Sequence, residues 1–476
     1  MPSAIRIVAH TGTAIAGALV LLLLAFMIPS LISRQPSETV SSGLSGSTHN
    51  SCEIRPTKAV CNGTASKTSR RRAAESSTAL APRAARAPLW ASSRSQTGSV
   101  PSQRRLSSTA QPSSSPTPKP QNTNGYSPPR SIPSDCSRDV TPAMNAWIAS
   151  VPDNSSLVLP SGACYRIDGT LQIMNRTGLT ISGNGTTFSG QHHTAGKLPH
   201  IGVYGSKNIT FTDLTVKGAN PHAGLYEDAF QAPLQWEAAW GIEGSDGILL
   251  DSVQAYDVFG DFVTIQPRWV GQTPVTSRNI TIRNSRFQRN GRMGIAITGG
   301  ETITVTNNYI SDIRHALLNL EPEWPALPID NVRFTGNTTG GVWLLWIANG
   351  GICNAGVSNI YVADNLMTAD AGIPLLQVIP RPGCQRRGPF TIERNTLIAR
   401  GSMYAAFDLT MVHDVMVRQN KLLFYHDDRT RVLVNLRDST RVSVVDNRVT
   451  ADPRDTVVFV TADPGSDYVQ SGNVRV

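Results

Sequence analysis

One hexapeptide shape recurs ten times along the chain: LTISGN from Leu179, ITFTDL from Ile209, ILLDSV from Ile248, ITIRNS from Ile280, ITVTNN from Ile303, VRFTGN from Val332, IYVADN from Ile360, FTIERN from Phe390, VMVRQN from Val415 and VSVVDN from Val442. Each alternates apolar and other side chains with period two, the pattern of a half-buried strand. The segments start 30, 39, 32, 23, 29, 28, 30, 25 and 27 residues apart. A second short strand pattern follows most of them: FVTIQ from Phe262, GIAIT from Gly294, LLNLE from Leu317, LLWIA from Leu344, LLQVI from Leu375 and AFDLT from Ala406. Units this short, with two or three strands each, leave no room for the helix of a βαβ crossover. Leucine-rich repeats are excluded by their missing leucine spacing. The fold class left is an all-β solenoid of about ten coils, each turn hydrogen-bonding the next.

In seven of the ten segments the sixth residue is Asn, at Asn184, Asn308, Asn337, Asn365, Asn395, Asn420 and Asn447. Asn tolerates the left-handed region where a strand turns, and stacked coils would align these amides into a ladder. Their role is structural. Asn-Ile-Thr at Asn208 and Asn279 fits a glycan acceptor and equally the start of a solenoid strand.

Reading the second strands outward gives one column, Thr264, Ala296, Asn319, Trp346, Gln377, Asp408 and Asn435, and a neighbour, Gln266, Thr298, Glu321, Ala348, Ile379, Thr410 and Arg437. Asp257, Asp261, Arg289, Arg292, Asp312 and His315 lie just before these strands. Coils stack about 4.8 Å apart, so the groups should share one face. Asp257, Asp261, Arg292, His315 and Glu321 are the candidate catalytic residues. Asp261 and Glu321, two coils apart, would stand roughly 9 to 10 Å from each other, the upper end of an inverting glycosidase's carboxyl gap. In a lyase, Arg292 or His315 would instead take a proton beside a sugar carboxylate.

Six of the eight Trp fall between residues 236 and 346, and the longest interval holds HAGLYEDAFQAPLQWEAAWGIEGSDG. A long loop with aromatics and acids suits a cleft wall. Trp236, Trp240, Trp269, Trp324, Asn319, Gln266 and Glu243 are the candidate substrate-binding residues. Trp343 reads as packing. No compact Ca2+ loop is present, so Ca2+ between these carboxylates is an optional cofactor rather than a required one. His192, His193, His200 and His222 lack metal-ligand spacing.

Ahead of the repeats, residues 141 to 149, TPAMNAWIA, place Ala143, Met144, Trp147 and Ile148 on one side of a short helix that would cover the first coil. This helix, V-L-P-S-G from Val158, Y-R-I from Tyr165 and GLTISGNGTTFSG from Gly178 resemble the start of a pectate-lyase-like right-handed parallel β-helix. The resemblance spans the repeat region and implies a fold used by many glycan-active proteins. GDFVTI at 260 to 265 resembles the Gly-Asp-Asp-Cys-Ile segment of polygalacturonases, with Asp261 matching one Asp and Phe262 replacing the next. That family's Gly-His-Gly and Arg-Ile-Lys segments are absent; GRMGI at 291 to 295 and LNLEP at 318 to 322 stand in the corresponding coils.

The remaining segments set the context. Residues 1 to 12 are a short start, and 13 to 32, TAIAGALVLLLLAFMIPSLI, carry no charge and are long enough to span a bilayer as a signal anchor, or to act as a cleaved signal. Residues 33 to 132 are Ser, Pro, Ala and Arg-rich with 14 basic and three acidic residues, the composition of a disordered linker. The basic pI belongs to that tail. Residues 133 to 476 carry a net charge of −3, which argues against nucleic-acid binding. Six cysteines, with no C-x-x-C, point to an oxidising compartment; their order suggests Cys136 with Cys164, Cys353 with Cys384, and Cys52 with Cys61. The expected protein is an exported, membrane-anchored or secreted monomer whose partner is a polysaccharide or cell-wall glycan.

Overall fold

A computed structural model describes residues 125–190, 199–323, 327–348, 355–369, 373–380, 383–425 and 430–476. All of the described residues belong to one compact unit. The apolar segment 13–32, the linker up to residue 124, Cys52, Cys61, His192, His193, Trp324 and Cys353 lie outside the described residues. Among the described residues no helix is long and apolar enough to cross a membrane.

The fold is an all-β parallel solenoid of about 12 turns, against the ten expected. The additional coils lack the hexapeptide shape: Ser156–Val158 pairs with the strand from Thr180, and Tyr468–Ser471 pairs with the strand from Val442. Gly125–Tyr126 pairs with Ser156 and Leu157, so the pairing begins ahead of the expected boundary at 133.

Three parallel ladders run along the solenoid. The first is built from the hexapeptides, and its inward column reads Ile181, Phe211, Leu250, Ile282, Val305, Phe334, Val362, Ile392, Val417 and Val444 in continuous register. All ten are buried, which is what the period-two alternation dictates. The second ladder follows the Asn turn. The third holds the second strands, and its register reproduces the sequence column: Thr264, Ala296, Asn319, Trp346, Gln377, Asp408 and Asn435 are successive partners.

Asn308, Asn337, Asn365, Asn395, Asn420 and Asn447 form the expected amide ladder, continued by Asn473. Each receives a backbone N–H and a side-chain Nδ2–H on its Oδ1 from the Asn one coil earlier, at 2.8 to 3.1 Å, from the Asn308–Asn337 step onward. Two expectations are corrected. Asn184 is exposed and gives its Nδ2–H to Leu159 O instead. Asn184, the sixth residue of the first hexapeptide, is left-handed at 50° as expected, whereas in the later coils the left-handed residue is the fifth of the hexapeptide, not the sixth: Asn307, Asp364, Arg394, Gln419 and Asp446 have φ of 53 to 59°. That turn aims the following Asn inward, where its amide can stack. The Asn of Asn-Ile-Thr is likewise a left-handed corner, with φ of 53° at Asn208 and 54° at Asn279.

The helix Thr141–Ser150 forms with Asp139 accepting the Thr141 N–H at 2.9 Å and its hydroxyl at 2.6 Å. Thr141, Met144, Trp147 and Ile148 are buried, whereas Ala143 faces solvent. Asn145 ties the helix to the strand Leu171–Met174, accepting the Gln172 N–H and donating to Thr170 O, both at 2.9 Å. Cys136 and Cys164 are disulfide-bonded across 28 residues. Cys384 is also disulfide-bonded, and its expected partner Cys353 lies outside the described residues. Closing a loop of that length stabilises the folded state by about 3 to 4 kcal/mol in the chain-entropy account. A Cys136→Ser, Cys164→Ser double variant should lose that amount in urea unfolding, and an unchanged midpoint would refute the bridge's role.

Candidate functional site

Three successive coils bring the site together at the edge of the third ladder. Asp261 precedes the strand Val263–Gln266, Arg292 precedes Ile295–Ile297, and His315 and Glu321 lie within and just beyond Tyr309–Leu320. The tight approach of the long loop requires glycine here. A Cβ on Gly291 would lie 2.3 Å from Phe259 O and 2.5 Å from Ala229 O, and one on Gly260 would lie 2.5 Å from Gln235 O. Asn220 anchors the same loop by donating to Ala229 O at 2.9 Å.

Asp261 is fully buried. Its Oδ2 accepts Arg292 Nη1–H at 2.9 Å and its Oδ1 accepts the Met293 backbone N–H at 2.8 Å. Burial pushes its carboxyl up to about 6, against the opposing pull of Arg292 and the Met293 N–H, with the nearby Glu321 adding to the rise. Arg292 lies over the Trp236 ring, 5.3 Å from its centroid. Glu321 Oε2 accepts Asn319 Nδ2–H at 3.0 Å. His315 is buried with its ring edge-on to Phe230 at 5.2 Å. Burial, with Arg314 and Arg292 nearby, pulls it down to about 3, so it stays neutral.

The sequence columns missed Glu323, two residues past Glu321 in LNLEPEW. Its backbone N–H reaches Thr298 O at 3.2 Å. Burial first, and then the charge of Glu321, push its carboxyl up to about 7, with Arg292 opposing. A second acid so close to the first was the available signal. Asp261 and Glu323 are therefore both within electrostatic reach of Glu321, with Arg292 bonded to Asp261.

The other candidates divide. Asp257 sits at a left-handed corner, φ 58°, with Arg289 and Asp312 at 61° and 57° in the next coils, and its carboxylate takes Arg289 at 2.7 Å. Its chemistry serves that corner. Trp240 is corrected outright: it pairs with Val263 in the inward column, is fully buried and meets Phe287 edge-on, so no sugar reaches it. Trp236 and Trp269 are exposed, at 45% and 47%. Trp343 is packed, stacked on Trp346 at 5.2 Å. Glu243 accepts Gln266 Nε2–H at 2.6 Å, and burial raises its carboxyl. His200 is buried and His222 pairs with Asp228. Among the described residues no group of three His, Cys, Asp or Glu could hold a metal.

A family model for the right handed beta helix region matches residues 158–321. Over 197 residues the chain is 25% identical to an uncharacterised protein, YclG, of Bacillus subtilis (strain 168), covering 38% of this chain and 34% of that one. The chain thus spans about a third of that relative's length. Among solved structures, a tailspike protein of E. coli bacteriophage HK620 in complex with a pentasaccharide is similar at a TM-score of 0.52 and 12% identity, over 72% of this chain and 64% of that one. DFA-IIIase from Arthrobacter chlorophenolicus A6 is similar at a TM-score of 0.50 and 12% identity, over 73% and 94% of the two chains. Ladder register, matched region and these likenesses agree on the fold: a right-handed parallel β-helix.

Proposed function

We propose that this protein is an exported glycoside hydrolase acting on a polysaccharide, held at the membrane by residues 13–32 or released after their cleavage, with the helix Thr141–Ser150 closing its first coil. The observation that carries the proposal is the cluster itself: two acids with raised pKa values, Asp261 and Glu323, both beside Glu321, with Arg292 bonded to Asp261. An acid near 7 is matched to proton donation at neutral pH. Glu323 gives its proton to the glycosidic oxygen as the bond from that oxygen to the anomeric carbon breaks. Glu321 takes a proton from the water whose oxygen adds to the same carbon. Asp261 fixes Arg292, whose charge faces the reacting groups. The lyase alternative is weaker, because His315, pulled down to about 3, is a poor base and Arg292 is held by Asp261. The tailspike likeness supports a glycan as ligand at the level of fold.

The test uses the full chain against neutral and acidic polysaccharides, following new reducing ends and unsaturated-uronate absorbance together. Hydrolysis predicts reducing ends without absorbance, lost in Glu321→Gln. Absorbance rising in step would make the protein a lyase. A non-catalytic glycan-binding module is the second reading, favoured by exposed Trp236 and Trp269; it predicts retention without cleavage, weakened in Trp236→Ala and Trp269→Ala.

A further inference from the structure

Buried polar atoms without a partner are rare in folded proteins, and each one asks for an explanation. Four of those among the described residues fall together beside the carboxylates: Thr298 Oγ1, Asn319 Oδ1, Trp343 Nε1 and Trp346 Nε1. Asn319 and Trp346 are register partners in the outward column of the third ladder. Trp343 stacks on Trp346. The Thr298 backbone carbonyl takes the Glu323 N–H, and Asn319 donates its other side-chain group to Glu321. Asn319 is fully buried, and Trp346 and Trp343 are 6% and 9% exposed. The set offers two indole N–H donors, an amide oxygen and a hydroxyl, all uncharged. Next to it lie the Glu321 and Glu323 carboxyl groups, with Arg292 engaged by Asp261.

We infer that Thr298, Asn319, Trp343 and Trp346 form a subsite for an uncharged, hydroxyl-bearing sugar residue adjoining the cleavage point, so that the polymer is neutral there rather than a uronate. Hydroxyl groups satisfy both donors and acceptors at once, and the two indoles, stacked on each other, leave their N–H edges unpartnered. A uronate carboxylate at this position would meet the Glu321 carboxylate that Asn319 already engages. This inference rests on the hydrolase reading for the position of the cut, but its binding arm does not.

The test is affinity electrophoresis of the full chain in gels containing galactomannan, xyloglucan, polygalacturonate or alginate, beside Trp346→Phe and Thr298→Val. At least one neutral polymer should retard the protein and the acidic ones should not. Each variant should weaken that retardation about 10-fold, the cost of one lost hydrogen bond. Thr298→Val should melt at the same temperature or higher, because it removes an unsatisfied hydroxyl; a merely structural hydroxyl would lower it. Cleavage of an acidic polymer, lost in Glu323→Gln, would overturn the neutral subsite and leave the hydrolase standing. Retardation by a neutral polymer without cleavage, weakened in Trp346→Phe, upholds the subsite and sinks the hydrolase. No interaction with any polymer, or variants that bind as the parent does, overturns the subsite.

Discussion

Replacing Glu323 by Gln lowers the rate of glycan cleavage by about 100- to 10,000-fold, the usual worth of a positioned general acid. The amide keeps the shape and removes the proton that must reach the leaving oxygen. In the parent protein the rate is greatest between about 6 and about 7 and falls on both sides. Ionisation of Glu323 removes the acid on the alkaline side, and protonation of Asp261 releases Arg292 on the acid side. Residual turnover in Glu323→Gln should therefore lose its alkaline limb, and a limb that persists near 7 would assign the acid to another group. Stability carries the same signature. Glu323 binds its proton more tightly in the folded chain than in the unfolded one, so its contribution is full below the ordinary value of 4.5 and is lost as pH rises through about 7. Asp261 acts likewise between 3.8 and about 6. The urea midpoint of Glu323→Gln should accordingly change less between pH 5 and pH 8 than that of the parent.

The placement of these acids shows how far the sequence could be read. The third-ladder column was legible residue by residue because a parallel ladder keeps register and the alternation has only two faces. Thr264 to Asn435 follow from that alone. Glu323 was not legible, since it lies past the end of its strand, where no period applies. Trp240 misled for the opposite reason. It stands in what looked like a loop of acids and aromatics, yet it is part of the strand Trp240–Glu243, and its register with Val263 sends it inward. Asp257 looked catalytic by proximity in the chain, but its left-handed backbone turns it toward the corner pair with Arg289. Electrostatic environment is a property of three dimensions: the raised carboxyl of Asp261 depends on burial and on Arg292 and Glu321, about 30 and 60 residues away in the chain, and only coil stacking brings these together.

The largest expected loss of stability comes from the middle of the asparagine ladder. Asn395 donates its Nδ2–H to Val362 O and to Asn420 Oδ1, both at 3.0 Å. Its Oδ1 accepts the Asn365 backbone N–H at 3.1 Å and the Asn365 Nδ2–H at 2.9 Å. Alanine removes all four contacts at once and leaves the buried Asn365 N–H and the Val362 carbonyl facing a gap too apolar to hydrate them. Each stranded group costs about 1 to 3 kcal/mol, so Asn395→Ala should lose about 3 to 5 kcal/mol in urea unfolding. In a solenoid each coil touches only its neighbours, so an interior break removes the coupling between the coils on either side of it. Hydrogen exchange should then quicken in the strands Phe334 and Val362 belong to before it quickens near Ile181. Serine is the informative intermediate. Ser285 continues the ladder toward the N-terminus, accepting the Val253 N–H at 3.1 Å while its own N–H reaches Asn308 Oδ1 at 2.9 Å. Asn395→Ser should therefore recover part of the loss, since a hydroxyl accepts the N–H but cannot span to the next amide. Asn184→Ala, at an exposed position with one side-chain bond to Leu159 O, should cost less than about 1 kcal/mol. Equal midpoints for the Asn184 and Asn395 variants would show that the stacked amides do not hold the coils together.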